Sequence, residues 1–294
     1  MEKPPINPYI LIFIGVISVS TSAIFVKLSS APAGVIAFYR LFLSALMLLP
    51  FFLTKHRKEL KSISSKDYIL MTVAGIFLAF HFILWFESLH YTSVASSTVL
   101  VTLQPLFAFI GTYIIYKEKI TAKMIISGIV AITGSVIISW GDFNVSKIAL
   151  WGDILALVAC ALITGYLLFG QTVRKRVTLV TYTFLVYLIS AITLFFYVIV
   201  NNETLFPYPS IEWLYFFLLA LLPTLLGHSL FNWSLKWIST NAISMAILFE
   251  PVGATILAYY FLEEKIVWTQ IIGGTIVLFG LTIFLSKRKN TSVD

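Results

Sequence analysis

Ten apolar stretches, each about as long as a membrane-spanning helix, follow one another along the chain. They cover residues 8–29, 33–54, 67–89, 93–116, 121–140, 150–172, 178–201, 212–235, 240–262 and 266–286. About 20 apolar residues are enough for a helix to cross the hydrocarbon core of a bilayer. The stretches are continuously apolar and do not alternate with polar residues, which favours helices over a β-barrel. The sequence therefore predicts an all-α integral membrane protein with ten transmembrane helices.

The composition supports a membrane location and argues against several functional classes. The chain is 59% hydrophobic and 11% charged, whereas soluble domains carry about 25% charged residues. It contains no P-loop, no cluster with metal-ligand spacing and no nucleophile motif of the GxSxG type. Its single cysteine, Cys160, excludes a disulfide framework. We therefore expect no cofactor, no metal and no enzymatic activity.

The first apolar stretch has to be distinguished from a secretory signal peptide. The small residues at 29–33, SSAPA, resemble a cleavage site, but the apolar run before them is too long. Only one basic residue, Lys3, precedes that run. We therefore expect the first stretch to be retained as a helix.

Most of the positive charge lies at alternate ends of the stretches. Clusters of Lys and Arg follow the second stretch (55–66), the sixth (174–176) and the tenth (287–289). If the N-terminus is cytoplasmic, sixteen of the 20 Lys and Arg residues lie on the cytoplasmic side, which is the positive-inside pattern. This placement accounts for the net charge of +7 without a nucleic-acid partner. It predicts a multi-pass plasma-membrane protein with both termini in the cytoplasm.

The chain repeats itself at an offset of 146 positions. Residues 103–120, LQPLFAFIGTYIIYKEKI, align without gaps with residues 249–266, FEPVGATILAYYFLEEKI. The two segments share a proline, an alanine, a tyrosine and the run Glu-Lys-Ile at equivalent positions, and two later glycines match at the same offset. The sequence therefore predicts two five-helix units, 1–146 and 147–294.

An odd number of helices per unit means that the two units insert with opposite orientations. The loop after the fourth stretch, YKEKITAK, carries three lysines, whereas its counterpart after the ninth, LEEKIVWTQ, carries one. This difference is expected of loops on opposite sides of the membrane. Inverted repeats of this kind are typical of secondary transporters, whose substrate sites lie between the repeats near the middle of the membrane.

The paired QP and EP helices, each followed by a turn with Glu-Lys-Ile and a glycine-spaced helix, resemble the EamA type of the drug/metabolite transporter superfamily. Residues 16–50 also resemble the first two helices of that family, although the Ser-rich VISVSTS replaces the Trp-Gly of many members. The resemblance covers nearly the whole chain. It implies a central cavity lined mainly by helices one, three, four, six, eight and nine, with helices five and ten at the periphery. It also implies transport of small organic metabolites, such as amino acids or drug-like amphipathic compounds, with export the expected direction.

Gln104 and Glu250 occupy equivalent positions of the repeat, each before a proline in the middle of an apolar stretch. Ionisable groups inside a membrane are costly, so they usually face a cavity or a partner. Ala246 and Ala254 share a helical face with Glu250, which lets a helix or a ligand come close. Two interpretations stay open: Glu250 binds and releases a proton during transport, or it makes a fixed hydrogen bond.

Other polar residues within the stretches are candidates for lining a cavity. The eighth stretch carries Thr224, His228 and Asn232 at four-residue spacing, which predicts a polar face on that helix. Pro223 and Gly227 lie beside them and predict a kink. With Gln104 and Glu250, the predicted substrate-binding residues are His81, Trp85, Thr164, Gln171, Thr224, His228 and Asn232. His228 is, with Glu250, a candidate for coupling transport to protons. Packing or hydrogen bonding between helices is the alternative for each of them.

Three charged residues within or near the stretches have separate interpretations. Lys27 lies near the end of the first stretch, where its side chain either extends to the membrane surface or attracts an anionic group such as a carboxylate. Arg40 either attracts an anionic group such as a carboxylate or forms a structural pair with backbone carbonyls or Glu87. Glu87 points away from His81 and is interpreted as a charge at the rim.

The function that best fits these features is secondary, ATP-independent transport by alternating access, with proton-coupled and passive transport as the two alternatives. The expected partners are a small-molecule substrate, the lipid bilayer and protons, and the chain is expected to be a monomer or homodimer. One alternative is an integral-membrane enzyme, which predicts reactive residues clustered at one membrane face. Another is a sensor or assembly subunit, which predicts an output surface outside the membrane.

Overall fold

The computed structural model describes residues 4–143 and 147–286, and ten transmembrane helices account for most of them. Their bounds are α1 Pro8–Ser20 with Ser22–Leu28, α2 Ala33–Phe51, α3 Ser65–Tyr91, α4a Val94–Val101 with α4b Gln104–Tyr116, α5 Ala122–Phe143, α6 Lys147–Val173, α7 Leu179–Val200, α8 Ser210–Leu219 with Ala220–His228 and Ser229–Ser234, α9a Thr240–Ile247 with α9b Glu250–Leu262, and α10 Trp268–Leu285. Two short helical segments, Phe52–His56 and Arg57–Ser62, extend α2.

The helices have the length and hydropathy that membrane insertion requires. Eight of the described spans are long and apolar enough to cross a bilayer, and α5 and α10 add shorter apolar stretches over 122–138 and 268–284. Large apolar side chains such as Phe13 and Phe261 are more than 60% exposed on the outer surface, as expected of positions that face lipid. We call the face at which α1 begins and α10 ends the terminal side, and the other face the opposite side. The basic cluster at 287–289 lies outside the described residues.

The helices pack as two repeats related by a pseudo-twofold axis in the membrane. α3 packs along α6, and their counterparts α8 and α1 pack together in the same way. The pairs α2–α7, α4–α9 and α5–α10 each join a helix to its own counterpart. This pairing confirms the predicted all-α fold of two inverted five-helix repeats around a central cavity.

Both repeats end their fourth helix with the same backbone conformation. Lys117 closes α4b and Glu263 closes α9b, each with φ of 56°. This left-handed conformation lets the last carbonyls of a helix accept hydrogen bonds from the following residues. The two caps are separated by the repeat offset, so the repeat is visible in the backbone as well as in the sequence.

α5 and α10 form a pair at the periphery, where the glycines let their backbones meet. A Cβ atom added at Gly134 would lie 2.5 Å from the Gly273 carbonyl oxygen and 2.8 Å from the Val277 amide nitrogen. A Cβ atom added at Gly280 would lie 3.0 Å from the Ser127 carbonyl oxygen, whereas one added at Gly274 would have no neighbour within 4 Å. Small residues of this kind allow helices in lipid to approach closely.

α4 and α9 are each broken in the middle, although the sequence predicts one continuous helix at each place. Proline lacks an amide hydrogen, and its ring clashes with the carbonyl four residues earlier. Pro105 and Pro251 accordingly follow half-helices that end four residues before them, at Val101 and Ile247. Each second half therefore begins with the polar residue before the proline.

The predicted kink in α8 has the same cause. The first part of α8 ends at Leu219, four residues before Pro223, and wider π-helical turns follow over Ala220–His228. The Thr224 hydroxyl donates to the Leu219 carbonyl at 2.8 Å, and so adds a donor to the carbonyl whose usual helical partner, the amide of residue 223, is missing in proline.

Candidate functional site

A small cavity lies at the depth of the helix breaks. Its lining comes from the helices that the family resemblance implies and also from α2, and consists of Val19, Ser22, Arg40, His81, Trp85, Val101, Gln104, Ile163, Leu167, His228, Phe231, Ile247 and Glu250. Its volume is about 20 Å³, which is room for about one water molecule. Pockets for organic ligands usually measure about 300–1,000 Å³. In this conformation the helices are therefore closed around the central cavity.

Arg40 is the buried cation of the cavity, with no exposed surface. Its Nε donates to the Thr224 hydroxyl and its Nη1 donates to the Ser22 hydroxyl, each at 2.7 Å. The guanidinium carbon lies 4.0 Å from the centre of the Phe82 ring, close enough for a cation–π contact. Its Nη2 has no hydrogen-bond partner among the described residues. One nitrogen of the guanidinium, with its two N–H donors, is therefore left for a group within the cavity.

Glu250 and Gln104 are the first residues of α9b and α4b, where the positive end of the helix dipole favours an acceptor. The Glu250 side chain is 7% exposed, and no cation of the described residues lies within 4.0 Å of it. Its backbone carbonyl accepts a hydrogen bond from the Ser20 hydroxyl at 3.2 Å. The Gln104 side-chain oxygen also lacks a partner among the described residues. The cavity thus presents acceptors as well as the Arg40 donor.

Two histidines and a tryptophan complete the polar lining. The Nδ1 of His81 lies 3.0 Å from the Ala159 carbonyl oxygen, and because a carbonyl only accepts, that nitrogen carries a hydrogen. The Trp85 ring stacks on His81 with centroids 5.9 Å apart. The Trp85 indole nitrogen and the His228 Nδ1 have no partner within the described ranges. These rings offer a flat apolar surface with polar atoms at its edge.

The structure brings five of the nine predicted substrate-binding residues to the cavity: His81, Trp85, Gln104, His228 and Glu250. The other four lie behind it or toward the terminal side. Thr224 holds Arg40, and the Thr164 hydroxyl donates to the Cys160 carbonyl at 2.8 Å. The Asn232 side chain donates to the Tyr166 hydroxyl, and Gln171 belongs to the network described next.

Of the three charged residues Lys27, Arg40 and Glu87, Arg40 lines the cavity and the other two do not. Its partners are the hydroxyls of α1 and α8 described above, and neither Glu87 nor a backbone carbonyl is among them. Lys27 is exposed near the end of α1. Glu87 lies near the end of α3 on the opposite side, and its Oε2 is 3.9 Å from the His90 Nδ1.

A polar network closes the path from the cavity to the terminal side. The Asn241 amide of α9a donates to the Thr112 hydroxyl and to the Glu118 carboxylate, each at 2.9 Å. Gln171 of α6 donates to the same carboxylate at 3.5 Å and accepts from the Thr240 amide at 2.7 Å. The terminal-side network, formed by these five residues, therefore joins α4b, α6 and α9a.

A second polar contact joins α1 to α8 on the opposite side. The carboxylate of Glu212, which is 3% exposed, accepts hydrogen bonds from Ser29 and Ser30. The Ser30 amide and hydroxyl both donate at 2.8 Å. Hydrogen bonds to a charged acceptor are stronger than neutral ones, so this contact holds the ends of the two helices together.

Sequence reasoning did not select Ser22, Glu118, Glu212, Asn241 or Arg174, all of which hold the site or its closures. The Arg174 side chain is 4% exposed and donates to the Asn232 carbonyl at 3.0 Å. Glu118 and Glu212 carried a usable signal, since each is an acid beside the end of an apolar stretch. Ser22 carried none, because serines are common in transmembrane helices.

Comparisons with known proteins agree with the architecture. A model of the EamA-like transporter family matches residues 6–140 and 150–286. YoaV of Bacillus subtilis, named an uncharacterized transporter, is 24% identical over 295 residues, with 95% of this chain and 99% of YoaV covered. An uncharacterized transporter of Archaeoglobus fulgidus is 21% identical over 280 residues, with 92% and 94% covered. A crystal structure 15% identical to this chain shares its fold with a TM-score of 0.73 over 95% of this chain and 96% of the other.

Proposed function

The chain belongs to the EamA-like transporter family, and from that premise we propose that it is a secondary transporter that exports small organic metabolites by alternating access. The observation that carries this proposal is the closed central cavity at the breaks of α4 and α9. Broken helices in inverted repeats are where secondary transporters bind their substrates. Polar contacts join the helices on both sides of the cavity, as alternating access requires of a closed conformation.

The charges of the cavity favour a cargo that is zwitterionic, such as an amino acid. Arg40 and Glu250 both face the cavity, yet no ion pair within 4.0 Å joins them. A buried charge without a partner is unfavourable by several kcal/mol. A cargo with one carboxylate and one ammonium group supplies a partner to each and adds no net charge to a medium of low dielectric constant. The rings of Trp85 and Phe231 offer an apolar surface to the rest of such a cargo.

Glu250 is the candidate for coupling transport to a proton gradient. Its carboxylate has no side-chain partner among the described residues, which argues for a changing occupant over a fixed hydrogen bond. Burial away from water favours the protonated form of a carboxyl group. A proton and the ammonium group of the cargo then compete for one carboxylate, so that the protein carries one or the other. Inward movement of protons would in this way drive outward movement of cargo.

The proposed orientation indicates which side of the membrane each closure would face during export. Basic residues at 55–66 and 174–176 lie on the terminal side, which the positive-inside pattern assigns to the cytoplasm of a plasma-membrane protein. Cargo would enter by opening of the terminal-side network and leave after separation of Glu212 from Ser29 and Ser30.

A substitution of Glu250 tests the coupling. Purified protein in proteoliposomes is given a pH gradient, and flux of radiolabelled amino acids is compared with exchange in the absence of a gradient. We expect Glu250→Gln to abolish gradient-driven flux and to retain exchange at a reduced rate, because the Gln amide oxygen still accepts a hydrogen bond from the ammonium group of the cargo. Glu87→Gln removes an acid at the rim and is expected to retain both. Gradient-driven flux at the wild-type rate in Glu250→Gln would refute the coupling role.

A matched set of ligands tests the zwitterion. An aromatic amino acid, the amine that lacks its carboxylate and the acid that lacks its amine share one ring and differ only in charge. We expect the amino acid to compete for transport at least tenfold better than either analogue. Equal competition by the amine would remove the role of Arg40 in cargo binding, while the transport function would stand.

A further inference from the structure

A second cavity opens at the terminal side, away from the central cavity and at the level where the helices end. Its lining combines basic, aromatic and apolar side chains: Pro4, Pro8, Tyr9, Lys175, Lys236, Trp237 and Ile238. Its volume is about 430 Å³, which is large enough for an organic ligand. None of these lining residues is acidic. We call it the terminal-side pocket.

Of the three consecutive basic residues at 174–176, one lines the terminal-side pocket and the other two have partners elsewhere. Arg174 turns inward and donates to backbone carbonyls of Asn232 and Val177. Arg176 forms an ion pair with Asp67. Lys175 instead faces the pocket and lies 5.7 Å from the centre of the Tyr116 ring. Within the described residues Lys175 therefore has no ion pair, in contrast to Arg176.

The other wall of the pocket brings a second lysine and an aromatic ring. The Lys236 ammonium lies 4.7 Å from the centre of the Trp237 ring. Lys175 and Lys236 thus place two cations around one opening, which suits a phosphate-bearing anion.

An apolar stripe on α1 leads from the pocket into the membrane. Tyr9 lines the pocket, and Phe13 and Ile17 follow it at four-residue spacing, which places all three on one helical face. Their side chains are 54%, 62% and 55% exposed. A ligand with a charged head and long apolar chains would place its head between the lysines and its chains along this stripe.

We propose that the terminal-side pocket binds the phosphate headgroup of an anionic phospholipid, with the acyl chains along Tyr9, Phe13 and Ile17. A soluble phosphate compound would use the lysines and leave the stripe of α1 unused. Basic pockets and interfacial tryptophans at helix ends are the features that bind anionic lipids in other membrane proteins.

The bound lipid would join three elements that carry the central site. Pro8 and Tyr9 begin α1, Lys175 follows α6, and Lys236 and Trp237 connect α8 to α9a. Alternating access requires α1, α6 and α9a to separate on the terminal side. The lipid therefore stabilises the closed conformation of that side, and its removal favours opening.

Lipid binding to the purified full-length protein tests the proposal. Native mass spectrometry and thermal unfolding in a neutral detergent are carried out with phosphatidylglycerol, with phosphatidylcholine of the same chains, and with glycerol 3-phosphate. We expect phosphatidylglycerol to bind at least tenfold more tightly than phosphatidylcholine and to raise Tm. Glycerol 3-phosphate is expected to leave Tm unchanged.

Two pairs of variants locate the site. Lys175→Gln with Lys236→Gln should remove the preference for phosphatidylglycerol, whereas Lys58→Gln with Lys61→Gln, at exposed lysines outside the pocket, should retain it. Phe13→Ala should weaken lipid binding, and Phe51→Ala, at a residue 60% exposed on α2, should not. Equal loss in the two lysine pairs, or equal binding of both lipids, would overturn the proposal. An equal shift with glycerol 3-phosphate would assign the pocket to a soluble phosphate compound.

Discussion

The contact between α5 and α10 gives a prediction whose magnitude follows from measured distances. Gly134→Ala would place a Cβ atom 2.5 Å from the Gly273 carbonyl oxygen, whereas ordinary contacts begin at 3.4 Å. The two helices must therefore separate by about 0.9 Å, the difference between these distances. A gap of 0.5–1 Å removes roughly a quarter to a half of the dispersion energy of the atoms involved. Overpacking of this kind costs about 1–3 kcal/mol.

Gly274→Ala is the matched control, because a Cβ atom there has no neighbour within 4 Å. Both substitutions gain the same helix propensity, up to about 1 kcal/mol, so their difference isolates the contact between the helices. Thermal unfolding in one detergent should show Gly134→Ala melting about 2–12 °C below Gly274→Ala. Neither glycine lines the central cavity, so cargo affinity should be equal in the two variants. Equal Tm values would show that the backbones do not meet at Gly134, and the close packing of α5 and α10 would be refuted.

Three further predictions concern the loops and the closures. Burial and the nearby Glu87 carboxylate raise the pKa of Glu203, so its charged form is disfavoured in the folded protein above the usual Glu pKa of about 4.3. Glu203→Gln should therefore raise Tm at pH 8, and this increase in Tm should become smaller as the pH is lowered toward 4. An increase in Tm that does not change with pH would contradict this reasoning. Asn241→Ala removes a buried donor of the terminal-side network and destabilises the closed conformation of that side by roughly 1–3 kcal/mol. A cysteine introduced at Val101 should therefore be labelled from the terminal side at least about fivefold faster than in the protein with Asn241. Glu212→Ala should speed labelling of the same cysteine from the opposite side. For either variant, faster labelling from the side that the substituted residue does not close would contradict the closure assigned to that residue.

The helices could be predicted from the sequence because the membrane requires about 20 apolar residues of each of them. Predicted bounds such as 240–262 for α9 agree with the structure to within a few residues. The breaks at Pro105 and Pro251 were not predicted, although both prolines were identified. A proline in lipid either bends a helix or breaks it, and neighbouring helices decide between the two by satisfying the freed backbone groups.

The candidate site was predicted less well, because polar residues in a membrane have two uses. Thr164 and His81 look alike in the sequence, each a polar residue inside an apolar stretch. The Thr164 hydroxyl bonds to the carbonyl of its own preceding turn, a local choice that the sequence pattern does not reveal. Arg40 obtains its partners from α1 and α8, and residue spacing does not show such distant contacts. The domain boundary near residue 146 and the role of Glu250 stay predictions.

The breaks in α4 and α9 have a mechanical consequence for the molecule. An unbroken helix that tilts about its midpoint moves its two ends in opposite directions. Opening the protein on one side of the membrane then also displaces the helix on the other side. Here α4b packs against α9a and α4a packs against α9b, so each half-helix is tied to a partner in its own leaflet. The joints at residues 102–103 and 248–249 let one leaflet rearrange while the other keeps its shape. This construction suits the proposed alternating-access cycle, in which one side opens while the other stays closed.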